Sequence, residues 1–458
     1  MRVHFIAIGG AAMHNLAIAL KLKGFKVSGS DDGIYEPSRS RLQAQGLLPD
    51  DEGWFPEKIT QELDAIILGM HAKADNPELL KAQELGIPVF SYPEYVYQQS
   101  KNKKRVVVGG SHGKTSITSM IMHVLNYHQL DFDYLVGAQL EGFSNMVKLS
   151  EAPVIIIEGD EYLASPIDRR PKFHLYKANI GVISGVAWDH INVFPTFDIY
   201  KEQFSKFIDT IEEDGTLIFC AEDNTLTEII KSQKNRNKIK ILPYKALSSE
   251  VIAGVTYLNY NSENLKINVF GHHNLMNLNA ARLVCLELGL SDTQFYEAIG
   301  IFKGAAKRLE KLAENDCSIV FKDFAHSPSK LKATIDAVKS QYADRKLVAC
   351  LELHTYSSVN KAFLKEYKDS MSNCDVPIVF VDESNLVKKK VERISENEIK
   401  EAFNNNDIIF FNDATKLERY LLTNNKLCNN VLLMSSGNFG GIDLVTLSKK
   451  ILNNEINR

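Results

Sequence analysis

One stretch, "VVVGGSHGKTSIT" at residues 106–118, limits what this 458-residue chain can fold into more than any other. Three valines lead into Gly109-Gly110, a Ser-His-Gly-Lys-Thr-Ser turn follows, and "ITSMIMHVL" then repeats apolar residues at helical spacing. A buried strand, a glycine turn and a helix in that order form the context of a phosphate-binding loop. The usual pattern has Gly, four residues, then Gly-Lys-Ser/Thr, but the slot five before Gly113 holds Val108, so this loop is shortened. Backbone N–H groups of Gly110, Ser111, His112, Gly113 and Lys114 are expected to wrap a β-phosphate at the helix N-terminus. Lys114 would neutralise the β/γ oxygens, Thr115 would ligate Mg²⁺ with its hydroxyl, and Ser116 closes the loop. The bland alternative is a Gly-Lys-Thr turn with no nucleotide.

Strand-like and helical runs alternate on both sides of this loop, the pattern of parallel, doubly wound sheets. "RVHFIAI", "KVSGSD", "LDAIILGM" and "PVFSYPEYV" form a first series, and the polar "QQSKNKK" at 98–104 reads as a linker. A second series starts at "RVVVGG", and a third begins near Lys311. The expected architecture is therefore three consecutive α/β domains: 1–100 Rossmann-like, 101–305 with the P-loop, and 306–458 Rossmann-like. Apolar residues at 45% and charged residues at 24% suit a globular protein, and a net charge of −4 offers no footprint for nucleic acid. No apolar stretch reaches the ~18 residues of a membrane span, and the N-terminus carries no cleavable signal pattern. Cys220, Cys285, Cys317, Cys350, Cys374 and Cys428 are scattered without a CxxC pair and read as buried free thiols of a cytoplasmic protein.

The first glycine turn does not match the dinucleotide fingerprint, since Ala7, Gly9 and Ala12 occupy its glycine slots. A helix N-terminus aimed at another diphosphate is the preferred reading, with Asp31 placed to meet a ribose hydroxyl, and an empty tight turn is the alternative. "VIIIEGDEY" is a buried strand ending in acids, where a P-loop fold keeps its metal carboxylate. Glu158 comes first after the strand and is the expected Mg²⁺ ligand, with Asp160 and Glu161 as alternates. "VISGVAWDHINVF" reads as a further buried strand ending in Asp189-His190, and His190 is the candidate for a second metal, against a structural or solvent-exposed role. Two cations suit a reaction in which an anionic nucleophile approaches an anionic γ-phosphate.

These residues resemble the Mur ligases of peptidoglycan synthesis. "GGSHGKTS" is similar to their shortened loop G-T-H-G-K-T-[ST], "EGDEY" to E-A-D-E, and "WDHIN" to D-H-x-D. "GHHNLMNLNAA" resembles G-x-H-N-x-x-N-x-x-A-A, "FKGAAKRLE" the hinge F-x-G-x-x-R-R-x-E, and "DFAHSP" the motif D-Y-A-H-x-P. The resemblance runs in family order along nearly the whole chain. It implies an N-terminal domain that holds a UDP-sugar through Gly9, Gly10, Ala11, Met13, Ser30 and Asp31, and a central domain that holds ATP and Mg²⁺. It further implies adenine contacts from His273 and Asn277, a ribose contact from Asp323 and a phosphate contact from Arg308. Lys114, Glu158 and His190 would be the catalytic set, the metal resting on Thr115, Glu158 and His190. The implied reaction phosphorylates the carboxylate of UDP-N-acetylmuramate, and an amino acid or peptide amine then displaces the phosphate.

Two branches of the family use that acceptor. "EYLASPIDRRPKFHLYKA" and "MSSGNFGGI" resemble the branch that adds L-alanyl-γ-D-glutamyl-meso-diaminopimelate in recycling. "ELHTYSS" partly resembles Q-P-H-R-Y of the L-alanine-adding branch, with Thr355 where its Arg would sit. The tripeptide branch is the preferred reading. Two departures stand out: Ser184-Gly185-Val186-Ala187 replaces T-N-x-E, and Asn192 replaces the D-H-x-D acid. Both are expected to leave the P-loop intact and to alter the second metal site. Some sister enzymes carry a carbamylated lysine in the region of Lys201 and Lys206, and spacing chooses neither. A non-catalytic nucleotide-binding regulator with the same fold is the rival from another class.

Overall fold

The computed structural model describes residues 1–140, 142–233, 238–261, 263–305, 307–424 and 428–456. They divide into two compact units, one of residues 1–186, 196–245 and 280–295, the other of 187–195, 246–279 and 296–458.

The first unit carries two sheets. β1 (Arg2–Ile6), β2 (Lys26–Ser30), β3 (Ala65–Leu68) and β4 (Val89–Ser91) lie parallel in the order β2-β1-β3-β4. β1 and β3 are buried on both faces, as continuous apolar runs in a covered parallel sheet should be. The second sheet contains β5 (Lys104–Gly109), β6 (Asp133–Leu135), β7 (Val147–Lys148), β8 (Val154–Glu158), β9 (Ile180–Ile183), β10 (Thr216–Cys220) and β11 (Lys240–Tyr244). Its order is β11-β10-β9-β5-β8-β6-β7, and only β7 runs antiparallel to its neighbour. β5 sits in the interior of this sheet, and its C-terminal end delivers the chain to helix Lys114–Tyr127.

The second unit opens with an antiparallel ribbon of β12 (Ser249–Ile252), β13 (Val255–Tyr260) and β14 (Glu263–Ile267). Its strands are polar and half-exposed rather than apolar runs, so hydrophobic patterning does not mark them in the sequence. The third sheet contains β15 (Glu310–Glu314), β16 (Ile319–Asp323), β17 (Lys346–Glu352), β18 (Val376–Phe380), β19 (Ile409–Phe411) and β20 (Asn429–Met434). Its order is β15-β16-β20-β17-β18-β19, parallel except for β15. Apolar clusters around Phe321, Leu351 and Tyr367 and around Val348, Leu433 and Leu447 bury side chains from alternate positions of these strands. The chain is thus three α/β modules in succession.

One expectation about cysteine is overturned. Cys317 and Cys428 form a disulfide, because the pairing of β16 with β20 sets their Cα atoms 4.7 Å apart. Cys220, Cys285 and Cys350 are the buried free thiols expected, and Cys374 is a half-buried one. Among the described residues, no helix is long and apolar enough to cross a membrane.

Candidate functional site

At the end of β5 the chain turns through Gly110 (φ +127°) and Gly113 (φ +81°), and Gly113 caps the following helix. Both angles lie in the region open to glycine, which leaves the intervening backbone free to curl over the helix N-terminus. The Lys114 ammonium donates to the Gly110 carbonyl at 2.6 Å and to Glu161 Oε2 at 2.6 Å. Burial works against its charge, but Glu161, Asp160 and Glu158 outweigh that and raise its pKa. Thr115 Oγ1 donates to Glu158 Oε1 at 2.8 Å, and the Gly137 N–H donates to Glu158 Oε2 at 3.0 Å. The expected hydroxyl–carboxylate pair is therefore assembled at the C-terminal ends of β5 and β8, adjacent strands. The alternates take other partners. Asp160 receives Lys172 at 2.6 Å, and although burial pushes its carboxyl up, Lys172 and Lys114 bring it below its ordinary value. Glu161 Oε1 accepts from the Tyr200 hydroxyl at 3.2 Å, and that hydroxyl also meets Ser111 Oγ at 2.9 Å.

The loop is braced from behind by the residues that replace T-N-x-E. Ser111 N–H donates to the Gly185 carbonyl at 3.0 Å, and Ser184 N–H donates to the Gly109 carbonyl at 3.1 Å. The Ser184 hydroxyl donates to the His112 carbonyl. These substitutions thus touch the P-loop itself, where sequence reading placed their effect on a second metal. Ser116 is buried in the first turn of the helix.

A cavity of about 260 Å³ lies beside the loop, lined by Lys114, Glu158, Asp160 and Lys172 together with Ala11, Ala12 and Asn15 from the first glycine turn. Gly10 begins helix Ala11–Leu22 without a side-chain cap, so its N-terminal N–H groups are open to an acceptor. Gly9 N–H donates to Asp31 Oδ2 at 2.7 Å, and Gly33 N–H donates to Oδ1 at 3.3 Å. Asp31 is buried, which raises its pKa against those two donors. Its carboxylate therefore ties the turn rather than standing free for a ribose. Met13 and Ser30 are buried under the turn, and the Ser30 carbonyl accepts from Ala7 and Ile8 N–H.

The remaining candidates belong to the second unit. His190 does not end a strand: β9 stops at Ile183, and β5 separates β9 from β8. His190 lies instead in the segment 187–195, in left-handed backbone (φ +54°), its N–H donating to Asp189 Oδ1 at 2.7 Å. Trp188 and Ile191 pack on the core of the third sheet, and this apolar anchoring accounts for the placement. Asp189 is pushed up by burial and brought below its ordinary value by Lys330, His190 and His326. Asn277 is buried on helix His272–Glu287 and donates to Asn274 Oδ1 at 3.4 Å, with His273 half-buried beside it. Asp323 ends β16 and accepts from Leu309 N–H and Ala325 N–H, each at 2.7 Å. Burial raises its pKa against Arg308 and those donors. Arg308 lays its guanidinium over the Phe324 ring, 4.8 Å from the centroid. Ala306, within the hinge motif, lies outside the described residues.

Comparison with known proteins follows the same three-part division. Residues 2–104 match the family profile described as Mur ligase family, catalytic domain, residues 108–285 the Mur ligase middle domain, and residues 307–437 the Mur ligase, glutamate ligase domain. A UDP-N-acetylmuramate–L-alanine ligase of Carboxydothermus hydrogenoformans is 30% identical over 98% of this chain and 97% of its own length. The chain belongs to the Mur ligase family. It is accordingly an ATP-dependent ligase that forms an amide bond in peptidoglycan synthesis. Among solved structures, the UDP-N-acetylmuramate:L-alanyl-γ-D-glutamyl-meso-diaminopimelate ligase of Neisseria meningitides is 26% identical, with a TM-score of 0.59 over 66% of this chain and 98% of its own. The UDP-N-acetylmuramate–alanine ligase of Thermotoga maritima has a TM-score of 0.67 at 19% identity, over 100% of this chain and 99% of its own.

Three residues of this Mur ligase site escaped the sequence reading. Glu161 has the sequence signal of an alternate metal ligand, and the structure makes it the partner of Lys114. Lys172 sits in the quoted "RRPKF" yet drew no role, and Tyr200 had no signal beyond a helical apolar position. In the second unit, burial holds His326 down to about 4, with Lys330 adding to that effect and Asp189 opposing it.

Proposed function

We propose that this ligase joins the carboxylate of UDP-N-acetylmuramate to the amino group of L-alanyl-γ-D-glutamyl-meso-diaminopimelate, converting ATP to ADP and phosphate. The observation that carries the acceptor assignment is the single cavity shared by the first glycine turn, Lys114 and Glu158. A carboxylate is a poor electrophile until one oxygen becomes part of a phosphate leaving group. In the proposed sequence a carboxylate oxygen attacks the γ-phosphorus, the bond to the bridging oxygen breaks, and ADP departs. The amine then attacks the acyl carbon, loses a proton, and phosphate leaves with the transferred oxygen.

Lys114 serves this step by trading Glu161 for γ-phosphate oxygens, and the N–H groups of Gly110, His112, Gly113 and Lys114 receive the β-phosphate while Gly185 holds the Ser111 N–H. Thr115 Oγ1 and Glu158 Oε1, 2.8 Å apart, form the hard oxygen donor set that Mg²⁺ prefers. When bound there, Mg²⁺ neutralises charge on the β/γ oxygens. The division into a sugar domain (1–100), an ATP domain (101–305) and an amine domain (306–458) belongs to the same proposal. So do the roles that the family resemblance gives to His190, His273, Asn277, Arg308 and Asp323.

The tripeptide is favoured over L-alanine by the segment after Glu161 and by Thr355, which removes one candidate anchor for a small amino acid. Gly441, where an added Cβ would meet nothing within 4 Å, also leaves the backbone after β20 open to a long ligand. L-alanine addition is the second reading, favoured by the 30% identical relative that bears that name. The experiment is kcat/KM for each amine with UDP-N-acetylmuramate at fixed ATP and Mg²⁺. A large preference for the tripeptide supports the first reading, and a preference for L-alanine replaces it with the second.

A further inference from the structure

The segment between the acid motif and Phe173 leaves the sheet and returns to it. Leu163 bridges Pro171, Ala164 N–H donates to the Arg170 carbonyl at 2.9 Å, and Ser165 N–H donates to the Asp168 carbonyl at 3.0 Å. At its base Lys172 N–H donates to the Tyr162 carbonyl at 2.9 Å, and Phe173 N–H donates to the Asp160 carbonyl at 3.1 Å. Phe173 is fully buried and stacks on Phe207 with centroids 4.7 Å apart. That anchor fixes the neighbouring Lys172, whose ammonium meets Asp160 Oδ2 at 2.6 Å with only 20% of the side chain exposed.

The cavity beside the P-loop therefore has a second cation. Lys114 reaches it from the helix N-terminus, where the Gly110 carbonyl and Glu161 hold it on the phosphate side. Lys172 comes from the returning segment and lines the cavity together with Tyr92, Tyr176 and the glycine-turn residue Asn15. An ammonium has three N–H donors, and Asp160 accepts one of them. A cation with donors to spare, in a cavity reached by both the sugar-side turn and the phosphate loop, is suited to a second anion.

We infer that Lys172 binds the substrate carboxylate and aims it at the γ-phosphate. This rests on the function proposed above. Lys172 donates to one carboxylate oxygen and leaves the other free to attack phosphorus. No proton moves in that step: the new P–O bond forms as the bond to ADP breaks. The lysine offsets the repulsion between the two anions as they approach.

The test compares UDP-N-acetylmuramate with UDP-N-acetylglucosamine, which lacks the lactyl carboxylate, by calorimetric titration of the full chain. Wild type is expected to bind the muramate about tenfold or more tightly than the glucosamine, the scale of one hydrogen bond to a charged group. Lys172→Met should remove most of that preference while glucosamine and non-hydrolysable ATP analogue affinities stay within about twofold; Lys172→Arg should restore part of it. Retained glucosamine binding reports that the variant is folded, and Lys172→Gln provides a second variant of similar length. In turnover, Lys172→Met should raise KM for the muramate and lower kcat, with KM for ATP unmoved. A full muramate preference in both Lys172→Met and Lys172→Gln overturns the inference. So does a loss confined to the ATP analogue, which would make Lys172 a phosphate ligand. Equal binding of the two sugars by wild type would instead refute the proposed acceptor, and the inference with it.

Discussion

Replacing Gly185 with alanine strikes the P-loop from behind without substituting a residue assigned to phosphate or metal. Gly185 has φ +151°, and a Cβ there would sit 2.6 Å from His112 Cε1 and 3.2 Å from Asp223 Oδ2. Asp223 has no room to yield, because Oδ2 accepts from Val186 N–H at 2.7 Å and Oδ1 from Leu226 N–H at 2.9 Å. The His112 ring must therefore move, and its backbone belongs to the loop expected to wrap phosphate. A non-glycine residue in this backbone region costs about 1–3 kcal/mol, and forcing an extra methyl into a packed site costs roughly another 1–3 kcal/mol. Taking about 4 kcal/mol as the centre, and about 2–4 °C per kcal/mol for a unit of this size, the unfolding midpoint should fall by roughly 8–16 °C. Affinity for a non-hydrolysable ATP analogue should drop by about tenfold, as expected if one charge-assisted N–H contact is lost. Differential scanning calorimetry and analogue titration read the two effects. A Gly185→Ala protein with unchanged midpoint and analogue affinity would refute the claim that this glycine makes room for the loop.

Two other perturbations have defined outcomes. Lys114→Ala should reduce amine-dependent phosphate release about 100-fold or more, the scale of losing one electrostatic stabiliser, with binding of the UDP-sugar preserved; near-normal release would discard the P-loop assignment. Burial holds the His174 ring down to about 4, so between that value and about 6.5 the unfolded chain takes up a proton that the folded chain refuses. This contribution to stability is full above about pH 6.5 and declines as pH falls toward 4, by about 1.4 kcal/mol per pH unit for one group. His174→Gln should flatten that part of the profile, and urea midpoints across pH 4.5–7 that slope equally in both proteins would count against it.

What the sequence could reveal depended on how local each interaction is. The β5–loop–helix passage was legible because strand, turn and helix occupy consecutive residues and each has its own composition signal. Glu158 was legible for the same reason, being the first acid after a buried strand. The pairing of Lys114 with Glu161 was not, since Glu158, Asp160 and Glu161 follow one strand and only the backbone path beyond β8 decides which carboxylate turns toward the lysine. His190 was placed at a strand end because "VISGVAWDH" reads as one apolar run. The strand in fact stops at Ile183, and Trp188 finds its apolar neighbours in the third sheet's core. The Cys317–Cys428 pair joins residues 111 positions apart, a separation over which no spacing rule operates.

On the proposed route a carboxylate oxygen passes to phosphate before the amide forms. UDP-N-acetylmuramate labelled with ¹⁸O in its lactyl carboxylate, incubated with the enzyme, ATP, Mg²⁺ and the tripeptide, tests it in one mass spectrum. One ¹⁸O is expected in each inorganic phosphate released, with the other retained in the new amide carbonyl. Phosphate free of ¹⁸O, formed alongside ADP, would contradict that route.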